Sequence, residues 1–171
     1  VETRSRARRY GVGVGKAGLT FQGTAVIRRK AEWPSWTPTK NMIRRDPDKY
    51  AKYAHGVPGG PGNPLGARAL YLYKGERDTY FRIHGTTQPW SIGRSVSNGC
   101  IRMLNTHVKD LYERVPLGTV LLSSKWIHSF VSKAGHPPAL LCFGAYRHTK
   151  AVNLIMQNCS ALTSHTRFRL K

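Results

Sequence analysis

A histidine and a cysteine in the middle of the chain have the residue types and the setting of a nucleophile and its base. His84 ends a run of residues with strand-like alternation, and Cys100 follows Gly99 in a loop. A thiol attacks as the thiolate, so a catalytic cysteine needs an imidazole that takes its proton, and its pKa is expected to be depressed. An alternative stays open, because a lone cysteine is more often a small buried side chain and a lone histidine a satisfied core or surface residue.

The turn before Cys100 suggests a binding site for a negatively charged oxygen. Gly99 has no side chain and permits tight backbone geometry. We therefore expect the amides of Gly99 and Cys100 to be free to face the oxyanion that develops when a substrate carbonyl is attacked.

A predicted β-hairpin carries the histidine. Residues 67–73 and 79–84 are expected to pair as antiparallel strands, because a polar, glycine-containing stretch separates them. Regular alternation along the second strand places Tyr80 and Arg82 on the same face as His84. The pattern predicts that His84 lies at the end of a strand, beside a loop.

Two helices are expected around this hairpin. The first is a short helix over Lys40 to Arg45 with Thr39 as its cap. The second follows the cysteine, with Asn105 or Thr106 as its cap and an apolar stripe formed by Val108, Leu111, Tyr112 and Val115. This second helix is interpreted as scaffold that packs on the core.

Several motifs follow one another in the order of a known family. They are His84-Gly85-Thr86, Ile92-Gly93, Ser97-Asn98-Gly99-Cys100-Ile101-Arg102-Met103 and Val115-Pro116-Leu117-Gly118-Thr119-Val120, preceded by Asn63-Pro64-Leu65-Gly66-Ala67-Arg68-Ala69-Leu70. With them the chain closely resembles the L,D-transpeptidase catalytic domain, of the YkuD type, of bacterial cell-wall enzymes. The resemblance implies a mainly β fold, a small β-sandwich or mixed sheet with one or two short helices, in residues 1–122.

The resemblance also implies a reaction. Cys100 matches the family nucleophile, which attacks the carbonyl before the terminal D-Ala of a peptidoglycan stem tetrapeptide and forms an acyl-thioester. His84 matches the general base, and Gly85 matches the residue whose backbone carbonyl orients the imidazole. An amine of another stem or of a protein, or water, would resolve the thioester. No cofactor and no metal are implied.

Further residues of the motif are expected to contact the oxyanion or the substrate: Ser97, Asn98, Gly99 and Arg102. Arg102 would anchor a substrate carboxylate or brace the loop. Asn98 departs from the family, in which many members carry histidine at this place. An amide cannot move protons but can donate a hydrogen bond, so the proton chemistry is expected to depend on His84 alone.

The charge of the chain indicates anionic surroundings. With 28 Lys and Arg against 8 Asp and Glu, the 171-residue chain has a formal net charge of +20. The basic residues fall in no nucleic-acid motif with interleaved aromatic residues. An anionic cell-wall polymer or membrane surface is therefore the expected partner besides the stem peptides, or the charge has no specific role. We expect a monomer without specific nucleic-acid binding.

The segment of residues 123–171 has a different character. It contains no Asp or Glu beyond Ser123 and no longer resembles the family. It is interpreted as an appended segment, a disordered tail or the product of a frameshifted reading frame, and the composition favours the last. Weak helical character is expected only near residues 153–163. Cys142 and Cys159 would be able to pair with each other in an oxidising compartment, which leaves Cys100 free.

The expected location is the periplasm or another extracellular part of the cell envelope. The first residue is Val1, and no signal peptide is recognisable in the fragment, so the catalytic domain is expected to be truncated at its N-terminus. Two other functions remain open at this point. Asn98 and the altered C-terminal segment would suit a catalytically impaired wall-binding module, and the charge alone would suit a basic nucleic-acid-binding protein.

Overall fold

A computed structural model describes residues 7–123, 140–145 and 152–157. Within them the chain forms nine strands: β1 Ala7–Gly15, β2 Gly23–Glu32, β3 Arg68–Lys74, β4 Arg77–His84, β5 Ser95–Ser97, β6 Ile101–Met103, β7 Val120–Ser123, β8 Leu140–Ala145 and β9 Val152–Gln157. The helices of these residues are α1 Lys40–Arg45, α2 Pro47–Tyr50 and α3 Asn105–Arg114, with short 3₁₀ turns at Ala51–Tyr53 and Pro89–Ser91.

The strands form one mixed sheet in the order β5-β1-β6-β4-β3-β2-β7-β8-β9, and β9 also pairs with β1. The sheet therefore curls so that its last strand, β9, pairs with β1. Three of its contacts are parallel, β1 with β5, β4 with β6 and β7 with β8. The expected mainly β fold with a mixed sheet is confirmed, and the described residues form three short helices where one or two were expected.

The core lies between the curled sheet and α3. Apolar side chains of the strands meet Val108 and Leu111 of the helix, which are fully buried. Side chains of this size stabilise the fold by about 1.5–3 kcal/mol each when they are removed from water. The apolar stripe predicted for the helix after the cysteine therefore packs on the core, as expected.

The hairpin and the first short helix also agree with the sequence. β3 and β4 are antiparallel neighbours joined at Gly75, which has a φ of 57°. Thr39 caps α1, because its Oγ1 accepts a hydrogen bond of 3.2 Å from the amide of Met42. No helix among the described residues is both long and apolar enough to cross a membrane.

Two strands lie beyond residue 123, where a disordered or frameshifted segment was expected. β8 pairs with β7, and β9 pairs with both β8 and β1. Residues 140–145 and 152–157 are rich in aliphatic residues, which favour strands, and β9 stands where helical character was expected. The domain boundary at residue 123 stays a prediction, and a pairing of Cys142 with Cys159 falls outside the described residues.

Candidate functional site

The imidazole of His84 is held between two strands at the end of β4. His84 lies opposite Ala69 of β3 and Arg102 of β6, and only 5% of it is exposed. Its Nδ1 lies 2.5 Å from the carbonyl oxygen of Gly85. A carbonyl can only accept, so Nδ1 carries the proton and Nε2 is left as the acceptor. This is the tautomer that a general base requires.

The protonation state of His84 follows from its surroundings. Burial lowers its pKa to about 4, because the charged form loses its water. The positive charges of Arg102 and Arg82 act in the same direction, whereas hydrogen bonds to the Gly85 and Leu65 backbone raise the pKa. The imidazole is therefore neutral at neutral pH and is able to accept a proton.

The turn that follows His84 is fixed by Asn105. Its Oδ1 accepts a hydrogen bond of 3.0 Å from the amide of Ala67, and its Nδ2 donates one of 3.1 Å to the carbonyl of Thr86. A Cβ on Gly85 would lie 2.1 Å from Oδ1, so only glycine fits beneath the amide. Asn105 thereby sets the place of the carbonyl that orients His84.

This role of Asn105 replaces the one expected from the sequence. The N-cap of α3 is Leu104, which makes no side-chain cap hydrogen bond, and Asn105 is the first residue of the helix. The side chain of Asn105 bonds the two loops instead, through the Ala67 amide and the Thr86 carbonyl.

Ser97 shapes the turn that carries the cysteine. Its hydroxyl donates a hydrogen bond of 2.7 Å to the carbonyl of Cys100 and accepts one of 3.0 Å from the amide of Gly99. The Gly99 amide was expected to be free for an oxyanion, and the structure corrects this, since the nearby Ser97 hydroxyl satisfies it. The Cys100 amide stays the candidate oxyanion donor.

Gly99 is required by the packing of this turn. Its φ is 127°, a region in which residues with a side chain are strained. A Cβ would also lie 2.6 Å from Cε1 of Phe81 and 2.8 Å from the carbonyl oxygen of Leu19. The turn therefore lies directly on Phe81 of β4.

The sulfur of Cys100 is half-buried and contacts the neighbouring strand. Its thiol donates a weak hydrogen bond, 3.8 Å long, to the carbonyl oxygen of Tyr80. Burial raises the pKa of the thiol, and the Arg82 amide together with the charges of Arg82 and Arg102 opposes that rise. The expected depression of the pKa is thus wrong, because desolvation of the thiolate exceeds the effect of the nearby positive charges.

A bulge in β4 breaks the regular alternation expected for residues 79–84. Tyr73 pairs with Asp78 and Tyr71 with Arg82, so β4 has two more residues than β3 between these pairs. The φ of Tyr80 in the bulge is 61°, a backbone conformation that costs a residue with a side chain about 1–2 kcal/mol.

Side-chain contacts hold the bulge in place. The Arg82 guanidinium makes two hydrogen bonds to the Asp78 carboxylate, 2.7 and 2.9 Å long, and packs at 4.4 Å on the ring of Tyr71. The Thr79 hydroxyl donates to the carbonyl of Leu72 at 2.6 Å. These contacts compensate for the unpaired backbone of the extra residues.

The remaining predicted site residues lie around the cysteine with partners of their own. Nδ2 of Asn98 donates a hydrogen bond of 2.7 Å to the hydroxyl of Tyr50, at the end of α2. Arg102 donates one of 3.0 Å to Oε1 of Gln88, and burial lowers its pKa. Ser97 and Gly99 therefore bond within the turn of Cys100, and Arg102 lies opposite His84, whereas the Cys100 thiol contacts the Tyr80 carbonyl and not His84.

Sequence patterns did not indicate a role for Tyr50 or for Tyr80 in the site. Tyr50 comes from the long connection between β2 and β3, and no spacing relates it to Asn98. Tyr80 was placed on a regular strand, although the polar Asp78 and Thr79 just before it are typical of an interruption. Among the described residues, no group of three or more His, Cys, Asp or Glu side chains is placed to hold a metal ion.

Comparison with known proteins relates the sequence of this chain to a family. Residues 1–125 match the model of the L,D-transpeptidase catalytic domain. The chain is similar to a probable L,D-transpeptidase, ErfK/SrfK, of Escherichia coli, with 40% identity over 64% of this chain and 34% of that protein. It is also similar to the putative L,D-transpeptidase YqjB of Bacillus subtilis, with 37% identity over 77% of this chain and 68% of that protein.

Two solved structures are similar to this chain with TM-scores below 0.5. A Brucella melitensis protein described as a probable carnitine operon oxidoreductase is 64% identical over 61% of this chain and 65% of its own, with a TM-score of 0.40. An L,D-transpeptidase of Mycobacterium smegmatis is 21% identical over 67% of this chain and 48% of its own, with a TM-score of 0.44. The chain spans about a third of the length of the E. coli relatives that it matches.

Proposed function

We propose that this chain, which belongs to the L,D-transpeptidase catalytic domain family, transfers a peptidoglycan stem peptide through an acyl-enzyme on Cys100. The observation that carries this proposal is the state of His84. Its Nδ1–H is bound to the Gly85 carbonyl and its pKa is lowered to about 4, so a neutral imidazole stands one strand away from the cysteine loop.

In the first half-reaction the thiol becomes the nucleophile. His84 takes the proton of Cys100 as the sulfur attacks the carbonyl carbon before the terminal D-Ala, and a C–S bond forms. The C–N bond to D-Ala then breaks, and the proton passes from His84 to the leaving amine. Because the thiol and the imidazole are both neutral at rest, proton transfer accompanies the attack and does not precede it.

In the second half-reaction an acceptor resolves the thioester. The nitrogen of an amine attacks the same carbonyl carbon, and His84 takes its proton. The C–S bond breaks, and the thiolate recovers the proton from His84. An amine of another stem gives a cross-link, an amine of a protein gives attachment, and water gives an L,D-carboxypeptidase side activity.

The residues around the cysteine support these steps in different ways. The Cys100 amide is the donor proposed for the oxyanion, and Ser97 and Gly99 hold the turn that aims it. Arg102 is half-buried and is held on one side by Gln88, so its other N–H groups are proposed to bind a substrate carboxylate. Asn98 is proposed to position this loop through Tyr50.

The site of action proposed for the chain is the cell envelope, in the periplasm or outside the cell. Its substrates are peptidoglycan stem peptides, and the net charge of +20 would favour adsorption to anionic wall polymers or membranes. We propose that it acts as a monomer. Among the described residues, no contact favours a wall-binding module without activity or a nucleic-acid-binding protein.

Mass spectrometry of the chain with a stem tetrapeptide tests the reaction. We expect release of D-Ala, a one-to-one acyl adduct on Cys100, and a similar adduct with a carbapenem that mimics the acyl donor. Cys100→Ala and Cys100→Ser should lose about three orders of magnitude or more of the rate. Cys142→Ala is the matched control for removal of a thiol and should acylate normally. Turnover that survives in Cys100→Ala would overturn the proposal.

A further inference from the structure

Tyr80 combines an unfavourable backbone with an exposed aromatic ring. Its φ of 61° is the conformation that glycine adopts freely, and 70% of the residue is exposed to solvent. An exposed ring gains little from packing, so the fold itself has no use for tyrosine at this position. Strained residues of this kind concentrate at functional sites.

The bulge places Tyr80 at the mouth of the cysteine site. The carbonyl of Tyr80 accepts the hydrogen bond from the Cys100 thiol at 3.8 Å. The Arg82 guanidinium, whose charge acts on Cys100, lies 6.0 Å from the centre of the Tyr80 ring. The backbone of the residue thus touches the nucleophile, while its ring lies on the solvent side next to Arg82.

We propose that Tyr80 is a substrate-binding residue, whose exposed ring, presented by the bulge of β4, packs against the aliphatic part of the acyl-donor peptide bound at Cys100. This inference rests on the proposed function and adds a specificity contact to it. A flat aromatic face is suited to the methylene chain of a diamino residue, and the fixed backbone keeps the ring in position before substrate arrives, which limits the entropy lost on binding.

The test replaces the ring without disturbing the bulge. Tyr80→Gly suits the φ of 61° and should raise the melting temperature. With a stem tetrapeptide, its KM should rise about tenfold at nearly unchanged kcat. Alkylation of Cys100 by iodoacetamide, a probe too small to need the ring, should keep its rate and pH profile. Tyr80→Phe keeps the ring and should retain the original KM. Tyr80→Asn also tolerates this φ and supplies a second variant without the ring.

Trp33 supplies the matched control. It is the other non-glycine residue of the described chain with a positive φ, 40°, it is 41% exposed, and its ring faces Lys109 of α3 at 5.9 Å. Trp33→Gly should therefore leave the KM for the tetrapeptide unchanged.

The outcomes separate this inference from the proposed function. An unchanged KM in Tyr80→Gly and Tyr80→Asn, with acylation intact, would overturn the role of Tyr80 alone, and so would an equal rise of KM in Trp33→Gly. A parent chain that reacts with iodoacetamide on Cys100 but neither releases D-Ala nor forms the adduct would overturn the proposed function, and the role of Tyr80 with it.

Discussion

The proposed base and the proposed nucleophile of this site are held by two kinds of structure. His84 is buried at the end of a strand, with its carbonyl partner fixed by Asn105 from the first turn of α3. Cys100 is half-buried in a loop and touches a strained bulge of β4. The contacts of the base are therefore also contacts of the core, whereas those of the nucleophile lie near the surface, where changes cost little stability.

The largest effect that tests this comparison is expected from the base itself. His84→Ala removes the group proposed to take the thiol proton, so the rate of acylation by a carbapenem should fall by about 10²- to 10⁴-fold. The adduct is measured by intact mass over time. His55 is exposed, and His55→Ala should acylate like the parent. A His84→Ala variant with full activity would mean that another group serves as the base.

Asn105 should couple activity to stability. Asn105→Ala leaves the Ala67 amide and the Thr86 carbonyl without their partner, which should lower the free energy of unfolding by about 1–3 kcal/mol. The displaced Gly85 carbonyl should reduce acylation by about 100-fold. Thermal unfolding and adduct formation are measured together. Thr106→Ala changes the next, exposed residue of α3 and should alter neither quantity. A loss of stability without a loss of acylation would show that Asn105 does not position His84.

On the nucleophile side the same kind of change should affect activity only. Tyr50→Phe removes the acceptor of the Asn98 amide and should slow acylation by about 2- to 10-fold, the equivalent of one hydrogen bond, without a change in melting temperature. Tyr53 packs on Trp36 at 5.8 Å as Tyr50 does at 6.3 Å, so Tyr53→Phe is the control.

A double variant tells whether Tyr50 acts through Asn98. If it does, Asn98→Ala should cost no further activity in the Tyr50→Phe background. Fully additive effects of the two substitutions on the acylation rate would show that the residues act separately.

The smallest effect is expected from Arg102, whose positive charge acts on both His84 and Cys100. It lowers the pKa of Cys100 and that of His84, so Arg102→Gln should raise both. The rate of iodoacetamide alkylation should then rise only at higher pH than in the parent, and the loss of acylation in acid should begin at a higher pH. Arg94→Gln removes an equal charge from an exposed residue and should leave both profiles in place. A shift of the two pH profiles to lower pH in Arg102→Gln would contradict the proposed effect of the Arg102 charge.

The parts of the molecule that depend on residues close to one another in the sequence were predictable. Alternation and a glycine turn predict the hairpin that ends at His84, helical spacing predicts α3, and the contact expected between His84 and the Gly85 carbonyl is present. The catalytic roles of these residues stay predictions, since a contact in the free protein does not show a reaction.

The rest depends on contacts between distant segments. Tyr50 reaches Asn98 across 48 positions and Asn105 reaches Ala67 across 38, and no local pattern encodes such distances. The same holds for the pKa of Cys100, whose direction follows from how deeply the loop lies against β4. The bulge was missed because Asp78 and Thr79 satisfy the backbone of the interrupted strand with their own side chains, which alternation does not reveal.

The pairing of β9 with β1 has a consequence for how the molecule behaves in solution. β8 and β9 cover the outer backbone groups of β7 and of the first half of β1. A chain ending at Ser123 would expose two rows of unpaired N–H and C=O groups, which are templates for strands of other copies. Such a chain should associate through these edges, and light scattering at increasing concentration would detect it. The last strands would then protect the sheet against aggregation, whatever the origin of their sequence.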